Sequence, residues 1–332
     1  MPANIPGLRL TLEDGTDLAD KIDPRFLSLS LSEKRGGESD TLELTIQNHD
    51  GAMVMPKKGV YLSLALGWID GIDVSIGLVD KGRFKVDEVE LEGPPEIIII
   101  RARAADMTGV HRKRQDKVWK DTTLGAIITA IASEGGQSAS VHPDLASIEV
   151  KAIEQGTKSN KLFVKHLGRR YDAVATWKNK TLVFMPIGSA TTASGKAIPT
   201  FNWSKRTGWK YNFRAADHDE FDGAEAQYRD IDAAKTKTVK TGGDKRKRLK
   251  KTYASKADAL AAAKAESARA KRSAFSFTYD LSLGDPSVIP NARVALSGWN
   301  SQIDAIDWVV EEVSHNFGAG GLTTNVTLET IG

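Results

Sequence analysis

The chain is predicted to be a β-rich α+β protein with two antiparallel β-barrel-like domains, an α+β insert and a short helical insert. Three observations predict it. Apolar residues alternate with polar or small ones from residue 8 to about 105, the pattern switches to helical spacing near residue 120, and alternation returns toward the C-terminus with a motif order already met.

In the first segment Leu27/Leu29/Leu31, Leu42/Leu44/Ile46 and Leu62/Leu64/Leu66 each alternate strictly, the signature of strands with one buried face. Gly36-Gly37, Asn48-His49-Asp50-Gly51, Asp70-Gly71 and Gly93-Pro94-Pro95 punctuate them as turns, so residues 1–106 are expected to form the first barrel. At Asp121-Thr122-Thr123, N-cap oxygens precede Leu124, Ile127, Ile128, Ile131 and Ala132, an apolar stripe that ends at Gly135-Gly136. A second helix is expected after Ser159, with Phe163, Leu167 and Tyr171 along one side and Lys165, Arg169 and Arg170 elsewhere. A hairpin follows, from Ala173 to Trp177 and back through Leu182–Met185. Residues 107–190 are therefore expected to be the α+β insert.

Strand text resumes at Phe201, Tyr211–Phe213 and Glu225–Tyr228, and again from 274 with Phe275/Phe277/Tyr279. The second barrel is expected from residues 198–230 plus 274–332. Between those parts, 231–273 is expected to be a basic loop and a helix. The run Lys235–Lys251 holds nine basic residues and one acid, Asp244, and Ser255-Lys256-Ala257-Asp258 opens an alanine-rich helix ending near Arg272.

The two β-rich parts echo each other. Pro56 opens a strand ending at Gly67-Trp68, and Phe84-Lys85-Val86-Asp87-Glu88-Val89 follows; Pro290 opens a strand ending at Gly298-Trp299, and Trp308-Val309-Val310-Glu311-Glu312-Val313 follows. Each copy then turns into a last strand, Glu96–Ala105 or Leu322–Thr330. Two like modules in one chain would let three chains build a ring of six, which points to an adaptor.

Composition sets further bounds. With 332 residues, more than one domain is expected, and a formal charge of only +3 means that any polyanion must be met by a local patch. The absence of cysteine excludes disulfides, thiolate metal sites and cysteine nucleophiles. Met1–Pro6 lacks the features of a signal peptide and no apolar stretch reaches the roughly 18 residues of a membrane span, so a chain made and kept in a cytoplasm until assembly is expected.

No catalytic constellation emerges. His49, His111, His142, His166, His218 and His315 have no metal-ligand spacing, and His218 between Asp217 and Asp219 is read as a solvated turn. There is no G-x-S-x-G elbow, Walker loop or dinucleotide fingerprint, and Gly318-Ala319-Gly320-Gly321 is read as a hairpin turn. Asp87/Glu88 and Glu311/Glu312 resemble a glycosidase dyad in type only, since neighbours within a strand face opposite sides. Trp119 and Trp177 are read as core or interface aromatics. Lys245, Arg246, Lys247, Arg248, Lys250 and Lys251 have the density of a phosphate-binding patch without interleaved aromatics for stacking, so they are read as an exposed partner-contact loop.

Several segments carry a family resemblance: Gly82–Val89, Gly93-Pro94-Pro95, Ile100–Met107, Trp119–Leu124, Val141–Leu145, Arg169–Thr176 and Phe184–Gly188. Together they resemble the phage late control protein D family, and Asp304–Trp308 with Ser314–Phe317 extend the likeness to nearly the whole chain. Two departures are local. Gln155-Gly156-Thr157-Lys158-Ser159-Asn160 stands where relatives often have Gln-x-x-Glu-Ser-Asp, and Ala216-Asp217-His218 where Ala-Asp-Arg is usual.

The resemblance implies a structural baseplate hub of a contractile tail, in a phage or an R-type pyocin. It implies a homotrimer with two tube domains per subunit, pseudo-sixfold, between the hexameric tail tube and the trimeric central spike. Other baseplate proteins and a tape-measure protein are implied as partners, with DNA at most passing through the lumen, no cofactor and no membrane span. The α+β insert is expected outside the ring. Two alternatives come from other classes: a cell-wall hydrolase, for which no domain is left over, and a carbohydrate- or nucleic-acid-binding module using the insert or the basic run.

Overall fold

The computed structural model of the chain describes residues 4–18, 22–36, 38–104, 109–216, 221–230 and 233–331. The first module contains β1 (Ile5–Leu12), β2 (Phe26–Lys34), β3 (Thr41–Gln47), β4 (Tyr61–Asp70), β5 (Gly77–Glu92) and β6 (Ile97–Ala104). The insert follows as β7 (Lys117–Thr123), α1 (Leu124–Glu134), β8 (Ser138–Val141), α2 (Pro143–Ala146), β9 (Glu149–Gly156), α3 (Asn160–Tyr171), β10 (Ala173–Lys178) and β11 (Thr181–Pro186). After β12 (Thr200–Ser204) and β13 (Gly208–Ala215) come β14 (Gly223–Asp230), β15 (Lys235–Gly242), β16 (Arg246–Tyr253) and α4 (Lys256–Arg272). The chain ends with β17 (Phe275–Leu281), β18 (Arg293–Ser297), α5 (Ser301–Asp304), β19 (Trp308–Gly318) and β20 (Gly321–Thr330).

The sequence echo is a repeat of topology. The first module has the spatial order β1-β4-β5-β6-β3-β2, and the second has β12-β18-β19-β20-β17-β13. Taken in chain order, both are first-fourth-fifth-sixth-third-second. The irregularities repeat as well. The β5–β6 register shifts between Val86 and Glu88, and the β19–β20 register shifts at the matching place between Val310 and Glu312. A second pair of bulges falls at Leu27, between β2 and β3, and at Trp209, between β13 and β17. Ahead of β4 and β18, Gly59 (φ 91°) and Asn291 (φ 72°) both take left-handed backbone and donate to Val86 O and Val310 O, respectively. One difference stands out: β1 runs antiparallel to β4, whereas β12 runs parallel to β18.

Each module buries its own core. Leu29, Leu31, Leu42, Leu44, Leu64, Phe84 and Ile98 fill the first, and Trp203, Phe277, Tyr279, Trp308, Val310 and Leu328 the second. At roughly 1.5–3 kcal/mol per large side chain, these clusters supply the main favourable term of folding. The predicted Leu27/Leu29/Leu31 face breaks at Leu27, which is 41% exposed because the bulge turns it outward.

The insert helices form as the spacing predicts. Thr123 Oγ1 accepts from Ala126 N and Ser159 Oγ from Leu162 N, and the α1 stripe packs on Phe163, Leu167 and Tyr171 of α3. The predicted hairpin is β10–β11, extended by β8 in parallel.

The basic run differs from its expected loop. Lys235–Gly242 and Arg246–Tyr253 are strands on either side of β14, and α4 covers the sheet. Ala224 and Ala226 meet Ala259 and Ala263 there, so small side chains let helix and sheet approach closely. Thus β14, grouped by sequence with the second barrel, hydrogen-bonds instead to the basic strands. Among the described residues, no helix is long and apolar enough to cross a membrane.

Candidate functional site

The two modules meet where β2 pairs antiparallel with β19, joining them into one twelve-stranded sheet. On the outer face of this seam, polar residues interlock: Ser30 Oγ donates to Asn316 Oδ1 and Ser32 Oγ to Glu312 Oε1. On the inner face, Leu31 lies opposite His315 and Glu33 opposite Val313.

Glu33 is the centre of a buried ionic knot. Lys81 Nζ of β5 lies 2.6 Å from Glu33 Oε2, Lys178 Nζ of β10 lies 3.4 Å from Oε1, and Lys178 also reaches Asp40 at 3.3 Å. His315 Nε2 stands 3.5 Å from Glu33 Oε2, while its Nδ1 meets Thr324 Oγ1 at 2.9 Å. Thr324 Oγ1 also accepts from Asp285 N. Burial pushes the Glu33 carboxyl up, but His315, Lys81 and Lys178 outweigh it and hold the group at about 2. Burial lowers Lys81 and His315 and raises Asp40. The knot therefore ties first module, second module and insert through one carboxylate. Sequence reading missed it, although Glu33 continues the Leu29/Leu31 core stripe with a charge, which is the signal that marks it.

A second tie holds the α4 unit. Arg272 binds both Asp172 oxygens after α3 and sits 3.1 Å from Glu329 of β20, to which Arg35 also donates. These contacts set the modules, insert and α4 unit against one another.

Among the described residues, β1, β12 and β13 each pair on one side only, and β4 covers β5 only to Lys85, so Glu88–Glu92 have β6 on one side and no strand on the other. Trp209 and Tyr211 on β13 and Leu91 on β5 are exposed.

The basic residues divide. Arg246, Lys247 and Arg248 face Asp244, Glu266 and Glu225 of the same chain at 3.3, 2.6 and 3.7 Å. Lys250 and Lys251 have no such partner among the described residues and line, with Arg169, Arg170 and His166 of α3, a cleft of about 340 Å3. Lys245 borders β14, its carbonyl accepting from Asp222 N. Arg170 is buried against Asp258 at 2.8 Å, and its Nε has no hydrogen-bond partner among the described residues. Burial together with Lys251, Lys158 and Arg170 pulls His166 down to about 4. The cleft has more cations than the one carboxylate, Glu266, that also lines it, and its Tyr253 ring is capped by the Arg170 guanidinium at 5.0 Å rather than open for base stacking.

The acidic pairs require a correction. At each bulge the neighbouring carboxylates do not alternate: Asp87 and Glu88 are both exposed, on the outer surface of the sheet. They pair with Arg103 at 2.9 Å and Arg101 at 3.6 Å, which makes them surface ion pairs. Glu311 is pushed up by burial and by Glu329 and Glu312. His111 and His142 hydrogen-bond Gln137 and Thr191, and Trp119 and Trp177 pack on the insert core. The Asp217-His218-Asp219 cluster lies outside the described residues. Among the described residues, no group of three or more His, Cys, Asp or Glu is placed to hold a metal.

A family model described as the phage tail baseplate hub (GPD) matches residues 69–321. The chain belongs to this baseplate hub family. A probable baseplate hub protein of Escherichia phage 186 is 32% identical, covering 98% of this chain and 92% of its own; that of Escherichia phage P2 is 31% identical, covering 95% and 91%. A 43 kDa tail protein of prophage MuSo2 from Shewanella oneidensis shares the fold with a TM-score of 0.68 at 13% identity, over 97% of this chain and 98% of that one. The resemblance read from the sequence is thereby confirmed, and this hub is a structural component of a phage tail baseplate.

Proposed function

We propose that the hub is a homotrimer whose six modules form a pseudo-sixfold ring joining the hexameric tail tube to the trimeric central spike. The observation that carries this reading is the repeat itself: two modules share strand order, two bulge positions and a left-handed residue ahead of the fourth strand. A like surface presented twice per chain, three times over, matches a sixfold partner on one side, while the differences between modules keep a threefold partner on the other. The remaining partners are other baseplate proteins, with a tape-measure protein or DNA in the lumen, and the ring forms in the cytoplasm before joining the tail. The role is mechanical and not enzymatic. The insert, tied on through Lys178 and Asp172, lies outside the ring.

The cationic cleft between α3 and β16 is the contact for an acidic segment of a baseplate partner. Its Arg169, Lys250 and Lys251, without ion-pair partners among the described residues, favour compact carboxylates, and the capped Tyr253 disfavours the nucleic-acid alternative. The bridging role is tested by mixing the hub with a tube protein and a spike protein. Both must co-sediment in one complex only when the hub is present; spike or tube binding that excludes the other contradicts the reading.

A further inference from the structure

The seam inside one chain is a template for the seam between chains. In the first module β2 is the free end of the sheet, and it is used: it lies along β19 from Glu312–Gly318, beyond the stretch that β18 covers. The repeat makes β13 the counterpart of β2 and β5 the counterpart of β19. Both counterparts have that same side unoccupied among the described residues. Resting on the trimeric reading above, we infer that β13 of one copy pairs antiparallel with the open edge of β5 in the next, in the register that β2 and β19 fix.

The register follows residue by residue. Val86 and Val310 are equivalent through their shared bulge, which makes Glu90 the counterpart of Ser314 and Leu91 that of His315. Leu42 and Phe277 face the equivalent Ala102 and Leu328, and their neighbours Leu31 and Phe213 are therefore equivalent in turn. Because Ser314 faces Ser32 and His315 faces Leu31, Glu90 must face Arg214 of the neighbouring copy, and Leu91 must face Phe213. Next along the ladder, Val89 meets Ala215 and Glu92 meets Asn212.

The chemistry agrees with that register, which was set by backbone pairing alone. Leu91 is 48% exposed and Phe213 half-buried, and both fall on the core-facing side of the seam, where pairing removes them from water. Glu90 and Arg214 fall on the outer face and carry opposite charges; Arg214 has no ion-pair partner among the described residues, while Glu90 shares Arg101 with Glu43 and Glu88. β5 and β13 are each held by a neighbour in their own chain, so a one-residue slip would oppose Leu91 to Arg214 or Asn212, whose side chains face the other side of the sheet, and the register is specified. The inner seam also differs usefully between the two junctions. Where the internal one has Glu33 and His315, the external one has Ala215 and Leu91, so no charge needs burying when copies meet. Open strand edges are otherwise an aggregation hazard, and pairing β13 with β5 covers these two.

The absence of native cysteine permits a direct test in the full chain. Glu90→Cys with Arg214→Cys, mildly oxidised, is expected to give a covalent trimer on a non-reducing gel, because opposed strand residues lie within disulfide reach. Glu88→Cys with Arg214→Cys, two positions out of register, is expected to give at least tenfold less. Separately, Glu90→Arg or Arg214→Glu alone should raise the concentration needed for assembly at least tenfold, and the double exchange should restore it. A trimer by mass that cross-links equally at both pairs, or in which the exchange restores nothing, overturns the register and leaves the trimer standing. A chain that stays monomeric overturns the trimeric reading itself, and the inference with it.

Discussion

Replacing Glu33 by Gln removes the charge on which the central knot depends while nearly preserving shape. The carboxylate and the Lys81 ammonium are almost fully buried, with side chains 4% and 2% exposed. Held at about 2 against an ordinary 4.5, the group contributes about 3 kcal/mol of stability near neutral pH at ~1.4 kcal/mol per pKa unit. An independent gauge agrees: removing one partner from a buried ion pair costs about 3–5 kcal/mol, because the other charge is left stranded. The sign is that of a depressed acid. Its contribution is complete above the unfolded value of 4.5 and is lost as pH falls through about 2. His315 acts the same way, since burial resists its protonation, and Asp40, raised by burial, opposes both. Urea unfolding followed by tryptophan fluorescence should therefore show Glu33→Gln less stable by about 3 kcal/mol near pH 7, narrowing to about 1.4 kcal/mol near pH 3. A loss below about 1 kcal/mol, or one that does not change with pH, would refute the assignment of the knot as the tie between modules.

Three further outcomes follow from the same structure. Ala263→Leu, at a fully buried position where α4 meets Ala224 and Ala226, should cost about 1–3 kcal/mol by overpacking, measured as a lowered unfolding midpoint. Arg272→Leu leaves Asp172 and Glu329 without their shared cation and should cost about 3 kcal/mol, checked by the same denaturant series. In the cationic cleft, a hexaglutamate peptide should raise the His166 pKa from about 4 by neutralising its neighbours, read by histidine NMR; Arg169→Ser with Lys250→Ser and Lys251→Ser should abolish that shift, and a stronger response to oligothymidine would favour nucleic acid.

The parts of the fold legible in the sequence are those where side-chain period and burial agree. Leu124–Ala132 declared α1 because its five apolar positions are buried on one face and Thr123 caps it. Leu42/Leu44/Ile46 declared β3 for the same reason with a period of two. The failures have specific causes. Leu27, Asp87 and Glu311 sit at bulges, where one extra backbone residue breaks the alternation that the reading assumes. The basic strands were missed because β15 buries only Val239 and β16 buries no residue, so neither supplies an alternating apolar face. The edge surfaces were invisible for a different reason: whether Leu91 and Tyr211 lie in a core or on an open edge depends on which strand ends beside them, and pairing is not local.

A ring built from two equivalent modules per chain is tested most directly by the native mass of the purified chain over a concentration series. A species of three times 36.0 kDa, alone or on addition of a spike protein, is the predicted result. A strict monomer or a dimer under both conditions would contradict it.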